Sequence, residues 1–196
     1  MQHAALLDDA AAGRLPEWAA VSAGRRAHME RVAELMATWA DVLGLPAGDR
    51  TRWRAAGLLH DVLRETPPDD LRPLVAEPLR TVAGKLLHGP AAAARLREHG
   101  LRDEPLLSAI TYHTIGHPGL DDLGRALFIA DYIEPGRMYD ADELAALRAR
   151  MPHDLDAVLL DVLRRRMQRL AAEGRPIRPE TAAFWNLVSG ARAATA

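Results

Sequence analysis

Apolar positions recur along this chain at intervals of three and four, the spacing that gives a helix one dry and one wet face. Ser22 is the expected N-cap of a helix to about Leu43, with Val32, Leu35, Met36, Trp39, Val42 and Leu43 on one face and Gly44 and Pro46 ending it. Further helices are expected from about Asp49 through His60, from Pro90 to about His99, and from about Asp103 to His113. Asp121 caps the next one, through Ile133, which is apolar nearly all round and so predicted to be central. Between these, Pro67, Pro68, Pro73 and Pro78 predict loops and short turns over residues 66–80. Helices around 141–150, 154–173 and 180–193 follow, separated by Pro152 and by the Gly174–Pro179 segment. At the start, His3 lies in a small, acidic stretch expected to fray, and Pro16-Glu17-Trp18 reads as the first turn of a short helix. Sustained period-two alternation, hairpin dipeptides and fixed-period repeats are all missing, so the predicted class is all-α.

Length and composition narrow this picture. A chain of 196 residues predicts a single domain over 1–196, with its core in about 20–170 and the C-terminal helices packed on it. The apolar faces of those last helices either finish the core or form a homodimer contact. The formal charge of -2 gives no general reason to expect nucleic acid or an anionic membrane as partner, so attraction for phosphate must be local. No signal-peptide pattern or membrane-length apolar run is present, which predicts a soluble, cytoplasmic protein. The absence of cysteine leaves histidine and carboxylates as the strong metal ligands.

Those ligands fall at suggestive places. His28 lies one turn before Val32 on the inward face, His60-Asp61 closes an apolar stretch, and His88 precedes Gly89-Pro90. His113 ends a helix before a glycine-containing loop, and Asp131 is the charged exception in the apolar helix. A buried carboxylate there needs a base, several donors or a metal. Each histidine alone has a structural explanation, but six such groups together suit iron, manganese, cobalt or zinc, and exceed what a single four-coordinate zinc ion takes. Arg64, one turn beyond His60, and Arg137, after the break at Glu134-Pro135-Gly136, are placed to reach the same pocket. Arg164-Arg165-Arg166 with Arg169 reads as a solvated helix face.

The segments Ala-Gly-Leu-Leu-His-Asp (56–61), Leu-Leu-His-Gly-Pro (86–90), Ala-Ile-Thr-Tyr-His-Thr-Ile-Gly (109–116) and Phe-Ile-Ala-Asp-Tyr-Ile-Glu-Pro-Gly-Arg (128–137) are similar, in order, to those of the HD-domain phosphohydrolases. Within that superfamily they look like the YqeK-type symmetrical bis(5′-nucleosyl)-tetraphosphatases. The resemblance implies an HD-domain helical bundle and a di-iron-type centre of two divalent ions on His28, His60, Asp61, His88, His113 and Asp131. Its implied substrate is a dinucleoside polyphosphate, diadenosine tetraphosphate being cleaved to two ADP. The expected mechanism has Asp61 bridging the two ions, a hydroxide attacking an inner phosphorus, and Arg64, His117 and Arg137 serving the polyphosphate, with His117 a proton donor to the leaving group. Two departures touch the substrate side: Arg64 stands where relatives usually have lysine, and His117 where they often have arginine. The rival readings are a broader nucleotidase and a metal- or nucleotide-binding module without turnover.

Overall fold

The computed structural model describes residues 2–193, with side chains from 3 to 190. It contains ten α-helices: α1 (Gln2–Ala11), α2 (Ala23–Val42), α3 (Ala47–Leu59), α4 (Pro68–Leu71), α5 (His88–Glu98), α6 (Glu104–Tyr112), α7 (Asp122–Ile133), α8 (Ala141–Arg150), α9 (Leu155–Ala172) and α10 (Pro179–Ala193). Three single 3-10 turns, Arg72–Leu74, Leu79–Thr81 and Gly84–Leu86, occupy the proline-rich stretch. No strand occurs among the described residues, and none of their helices is long and apolar enough to cross a membrane. The architecture is the all-α bundle that the hydrophobic periodicity predicts.

The caps act as the sequence indicates. Ser22 Oγ accepts from Arg25 N–H at 3.2 Å, and Asp121 Oδ1 accepts from Gly124 N–H at 2.9 Å. Asp103 Oδ1 likewise takes the Leu106 N–H at 3.1 Å. Each satisfies an N–H that the first helical turn would otherwise leave unpaired.

Two expectations at the N-terminus are corrected. The opening stretch is a helix packed on α3, because Leu7 and Ala10 recur at helical spacing and are buried. His3 Nδ1 accepts from Arg102 N–H at 3.3 Å. Pro16–Trp18 forms only a turn, Trp18 packing its ring on His99 at 5.5 Å. In α2 the buried apolar face ends earlier than predicted: Trp39 and Ala40 are buried, whereas Val42 and Leu43 are 52% and 42% exposed.

Helix α7 is the centre of the bundle, with nearly every residue from Leu123 to Ile133 buried and contacts to α2, α3, α6, α8 and α9. Around it sit two helical hairpins, α2–α3 and α5–α6. Each hairpin is drawn tight by a glycine. A Cβ at Gly57 would stand 2.4 Å from Ala33 Cα, and one at Gly89 would stand 2.7 Å from the Ile110 carbonyl oxygen. Neither approach leaves room for a side chain. The chain beyond α8 finishes the core: Phe184 of α10 is fully buried and meets Phe128 of α7 edge-on at 5.8 Å.

Candidate metal centre

The glycine crossings bring the histidines together in pairs. His28 projects from α2 and His60 caps the C-terminus of α3, and their Nε2 atoms lie 3.3 Å apart. His88 opens α5 and His113 caps α6, with their Nε2 atoms 3.0 Å apart. All four rings are buried.

The opposite edge of each ring fixes its tautomer. His60 Nδ1 donates to the Gly57 carbonyl at 2.8 Å, His88 Nδ1 to Lys85 at 3.0 Å and His113 Nδ1 to Ile110 at 2.7 Å. His28 Nδ1 instead donates to the Glu134 carboxylate at 3.2 Å. Carbonyls and carboxylates only accept, so each neutral ring carries its hydrogen on Nδ1 and turns the Nε2 lone pair inward. Four inward lone pairs face one another within two pairs.

Asp61 stands between the pairs. Its Oδ1 lies 3.1 Å from His88 Nε2 and 3.4 Å from His113 Nε2, while its Oδ2 lies 3.6 Å from His28 Nε2 and 3.5 Å from His60 Nε2. Oδ1 is buried and makes no hydrogen bond. Asp131, from α7, adds an oxygen 3.3 Å from His28 Nε2 and 4.0 Å from His60 Nε2. The inward Nε2 atoms and Asp61 Oδ1 are thus acceptors facing acceptors, with the Thr114 hydroxyl 3.0 Å from His113 Nε2, and such a buried set is one that a cation satisfies. The residues present therefore fit a divalent metal site, and their all-nitrogen-and-oxygen donor set suits a borderline or hard ion. All six sequence-predicted ligands converge on this one cluster.

The electrostatics differ across it. Burial pushes the Asp61 carboxyl up, but His60, His113 and His88 outweigh this and hold it well below the usual carboxylate range. Asp131 is similarly held down against burial by His28 and Arg166. Burial lowers the pKa of both His28 and His88, yet the two end on opposite sides of the ordinary value. Asp131 and Glu134 raise His28 above it, whereas His88 stays below. Glu134 is itself held at about 2, burial being overcome by His28, Arg31 and the Gly136 N–H.

Several side chains reach the cluster that the sequence reading passed over. Arg25 Nη1 lies 2.6 Å from Asp61 Oδ2, and its position one turn before His28 on α2 was the available signal. Glu134, one turn after Asp131, is 2% exposed and bonds Arg31 Nε at 2.5 Å as well as His28. Arg166 corrects the solvated reading of the arginine run. Arg164 is 56% exposed as expected, but Arg166 is only 17% exposed and lies 4.4 Å over the Phe128 ring. It follows the buried stripe of Leu159, Val162 and Leu163 by helical spacing, which turns its guanidinium inward. There it donates to the Thr114 carbonyl at 2.7 Å and to Asp131 Oδ2 at 3.2 Å.

Of the predicted substrate residues, Arg137 donates to Asp131 Oδ1 at 2.8 Å and to its carbonyl at 2.6 Å. Arg64 is half-buried near His88, and its guanidinium makes no hydrogen bond among the described residues. His117 is not brought into this group. It stacks on Tyr112 at 4.4 Å, and its Nδ1 accepts from Gly119 N–H at 3.0 Å. Beside Asp131 opens a cavity of about 380 Å³ whose wall includes Tyr132, Arg137, Tyr139 and Arg166.

Comparison with known proteins agrees with this geometry. Residues 25–136 match the model of the HD domain family. The symmetrical bis(5′-nucleosyl)-tetraphosphatase of Halalkalibacterium halodurans is 32% identical over 158 residues, covering 78% of this chain and 83% of the relative. The Bacillus subtilis protein of the same name is 33% identical over 150 residues, 72% of this chain and 79% of the relative. A crystal structure described as a predicted HD superfamily hydrolase involved in NAD metabolism, from Clostridium acetobutylicum, superposes with a TM-score of 0.75 at 25% identity, over 94% of this chain and 95% of the other. The matched span contains every His and Asp of the cluster described above, and the chain belongs to the HD domain family, among the relatives named symmetrical bis(5′-nucleosyl)-tetraphosphatases.

Proposed function

We propose that the protein hydrolyses a dinucleoside tetraphosphate at the centre of its bridge, releasing two nucleoside diphosphates, with diadenosine tetraphosphate as the substrate. The observation that carries this reading is the split of the Asp61 carboxylate, one oxygen turned to the His28/His60 pair and the other to the His88/His113 pair. His28, His60 and Asp131 would hold one divalent ion and His88 and His113 a second, with Asp61 shared; iron is the assignment, with manganese or cobalt serving the same donors. Such ions supply Lewis-acid polarisation of a phosphoryl oxygen and an acidified water.

The protein's own groups do the rest. Arg137 and Arg166 present guanidinium to the cavity at Asp131, where they neutralise phosphate charge as the bond to the leaving phosphate breaks. Arg64, with its guanidinium unpaired among the described residues, faces the other half and takes a phosphoryl oxygen there. Arg25 stays on Asp61 and restrains its rotation. Overall, one water is consumed, the central bridging P–O bond breaks and two diphosphates leave.

Chromatography of the products of diadenosine tetraphosphate tests the reading. ADP alone is expected; equal AMP and ATP would sink symmetrical cleavage. Orthophosphate released from nucleoside mono- or diphosphates would favour the broader nucleotidase, and binding without turnover under every divalent metal would favour a binding module.

A further inference from the structure

The cavity beside Asp131 extends onto a part of the molecule that the metal cluster does not use. Its wall takes five arginines, Arg137 and Arg166 near the cluster and Arg169, Arg175 and Arg178 from the end of α9 and the loop leading to α10. Asp131 is its one acidic lining residue among those described. The outer arginines are under-neutralised by their neighbours. Arg169 Nε and Arg175 Nη1 share the single carboxylate of Glu173 at 2.8 and 3.1 Å. Arg178 is held by one bond of 3.2 Å to Glu180, and its Nε has no partner among the described residues. Even with Glu173 and Glu180 counted, positive charge exceeds negative around this cavity, on a chain whose formal charge is -2. Like charges are gathered at such cost where an anion is to be received. Tyr139 backs the group, with Arg169 stacked 5.7 Å over its ring and its hydroxyl on the Tyr132 carbonyl at 3.4 Å, so the arginines approach the cavity against a partly fixed wall.

We propose that Arg169, Arg175 and Arg178 form a second polyphosphate subsite, distinct from the metal-facing arginines, that holds the phosphates of the departing nucleotide. This rests on the reading of the protein as a polyphosphate-bridge hydrolase. The subsite selects substrates by length: a bridge must be long enough to meet Arg137 and Arg166 at the cluster and still present anionic oxygens to the outer arginines. It also places the last turn of α9, which carries no ligand, among the elements that decide what is cut.

The test uses the metal-loaded protein and the Arg169→Gln/Arg175→Gln double variant. Inorganic tripolyphosphate is titrated calorimetrically, and diadenosine tetraphosphate is assayed for ADP release. The wild type is expected to bind tripolyphosphate at least about tenfold more tightly than the variant, a loss typical of removing charge-assisted phosphate contacts. KM for the dinucleotide is expected to rise by a similar factor with a smaller change in kcat, and Arg169→Lys/Arg175→Lys is expected to restore most of the affinity. Equal tripolyphosphate affinity and equal KM in wild type and variant would overturn the subsite while leaving symmetrical hydrolysis intact. Arginine-dependent tripolyphosphate binding in a protein that releases no ADP would keep a polyphosphate site at these arginines but overturn the hydrolytic reading and, with it, the assignment to the departing nucleotide.

Discussion

The two helical hairpins solve one geometric problem in the same way and then diverge. In α2–α3 and in α5–α6 a glycine lets two helices touch, a histidine stands at or beyond one helix end, and both Nε2 atoms turn inward. The difference lies behind the rings. His88 and His113 both rest on main-chain carbonyls, whereas His28 rests on the buried Glu134, itself clamped by Arg31 and the Gly136 N–H. A carboxylate behind an imidazole makes it a stronger donor than a carbonyl does. The hairpins therefore build two inequivalent halves from one plan, the α2–α3 half the more electron-rich.

The strongest way to break this comparison is to remove what the halves share. Asp61→Ala deletes the carboxylate that faces both, and activity should fall by more than the ~10–100-fold that losing an outer partner costs. Metal content by elemental analysis should fall with it, and an Asp61→Ala protein that keeps its full metal complement would refute the shared role. Next come the crossings. Gly57→Ala drives a Cβ into the Ala33 backbone, and Gly89→Ala drives one into the Ile110 carbonyl. Each is expected to cost about 1–3 kcal/mol in urea melts, the usual penalty for overpacking. Unchanged stability in either would mean that the helices part without strain.

Glu134→Gln sharpens the inequality itself. The glutamine keeps the shape and loses the charge, so metal affinity should drop ~10–100-fold at one half only. Competition with a chromogenic chelator reads this, and a uniform loss across all bound metal would erase the proposed difference. The smallest effect concerns the strut between the halves, where Arg52 of α3 grips Asp103, the cap of α6, at 2.6 and 3.0 Å. Burial pushes Asp103 up, but Arg52 and the Leu106 N–H hold it below the usual carboxylate range. Its contribution is thus complete above the unfolded value near ~3.9 and is lost as the pH falls through the lower folded value. Asp103→Asn should cost about 1 kcal/mol at neutral pH, allowing for solvent around the partly exposed Arg52. The gap from wild type should close in acid, and a gap that persists there would assign the loss to the cap alone.

Much of this was legible in the sequence because it is local. Ser22 and Asp121 announce their helices by side chains that bond three residues ahead, and the six candidate ligands sit at helix faces or ends that periodicity identifies. The misses are of another kind. Asp61 follows the apolar stretch that His60 closes, but α3 ends at Leu59, and only the turn after it brings the carboxylate between the pairs. Arg166 reaches Asp131 across 35 residues of chain, and nothing between them in the sequence records that meeting. Glu134 looked like part of a helix-breaking turn because its partners, His28 and Arg31, lie more than a hundred residues away. Periodicity states which way a side chain faces and is silent on what it meets.

The glycine crossings also separate the local contacts of the cluster from its distant ones. Each histidine pair lies within one hairpin, 32 residues apart in the first and 25 in the second, so each needs only a short loop to close. Contacts of that kind carry a smaller loop-closure cost than those between elements far apart in the chain. Asp131 meets His28 through the packing of α7 on α2, and Arg166 meets Asp131 through the packing of α9 on α7. The imidazole pairs thus rest on contacts within one hairpin, whereas the groups that join them, Asp131 and Arg166, depend on the packing of helices from later in the chain.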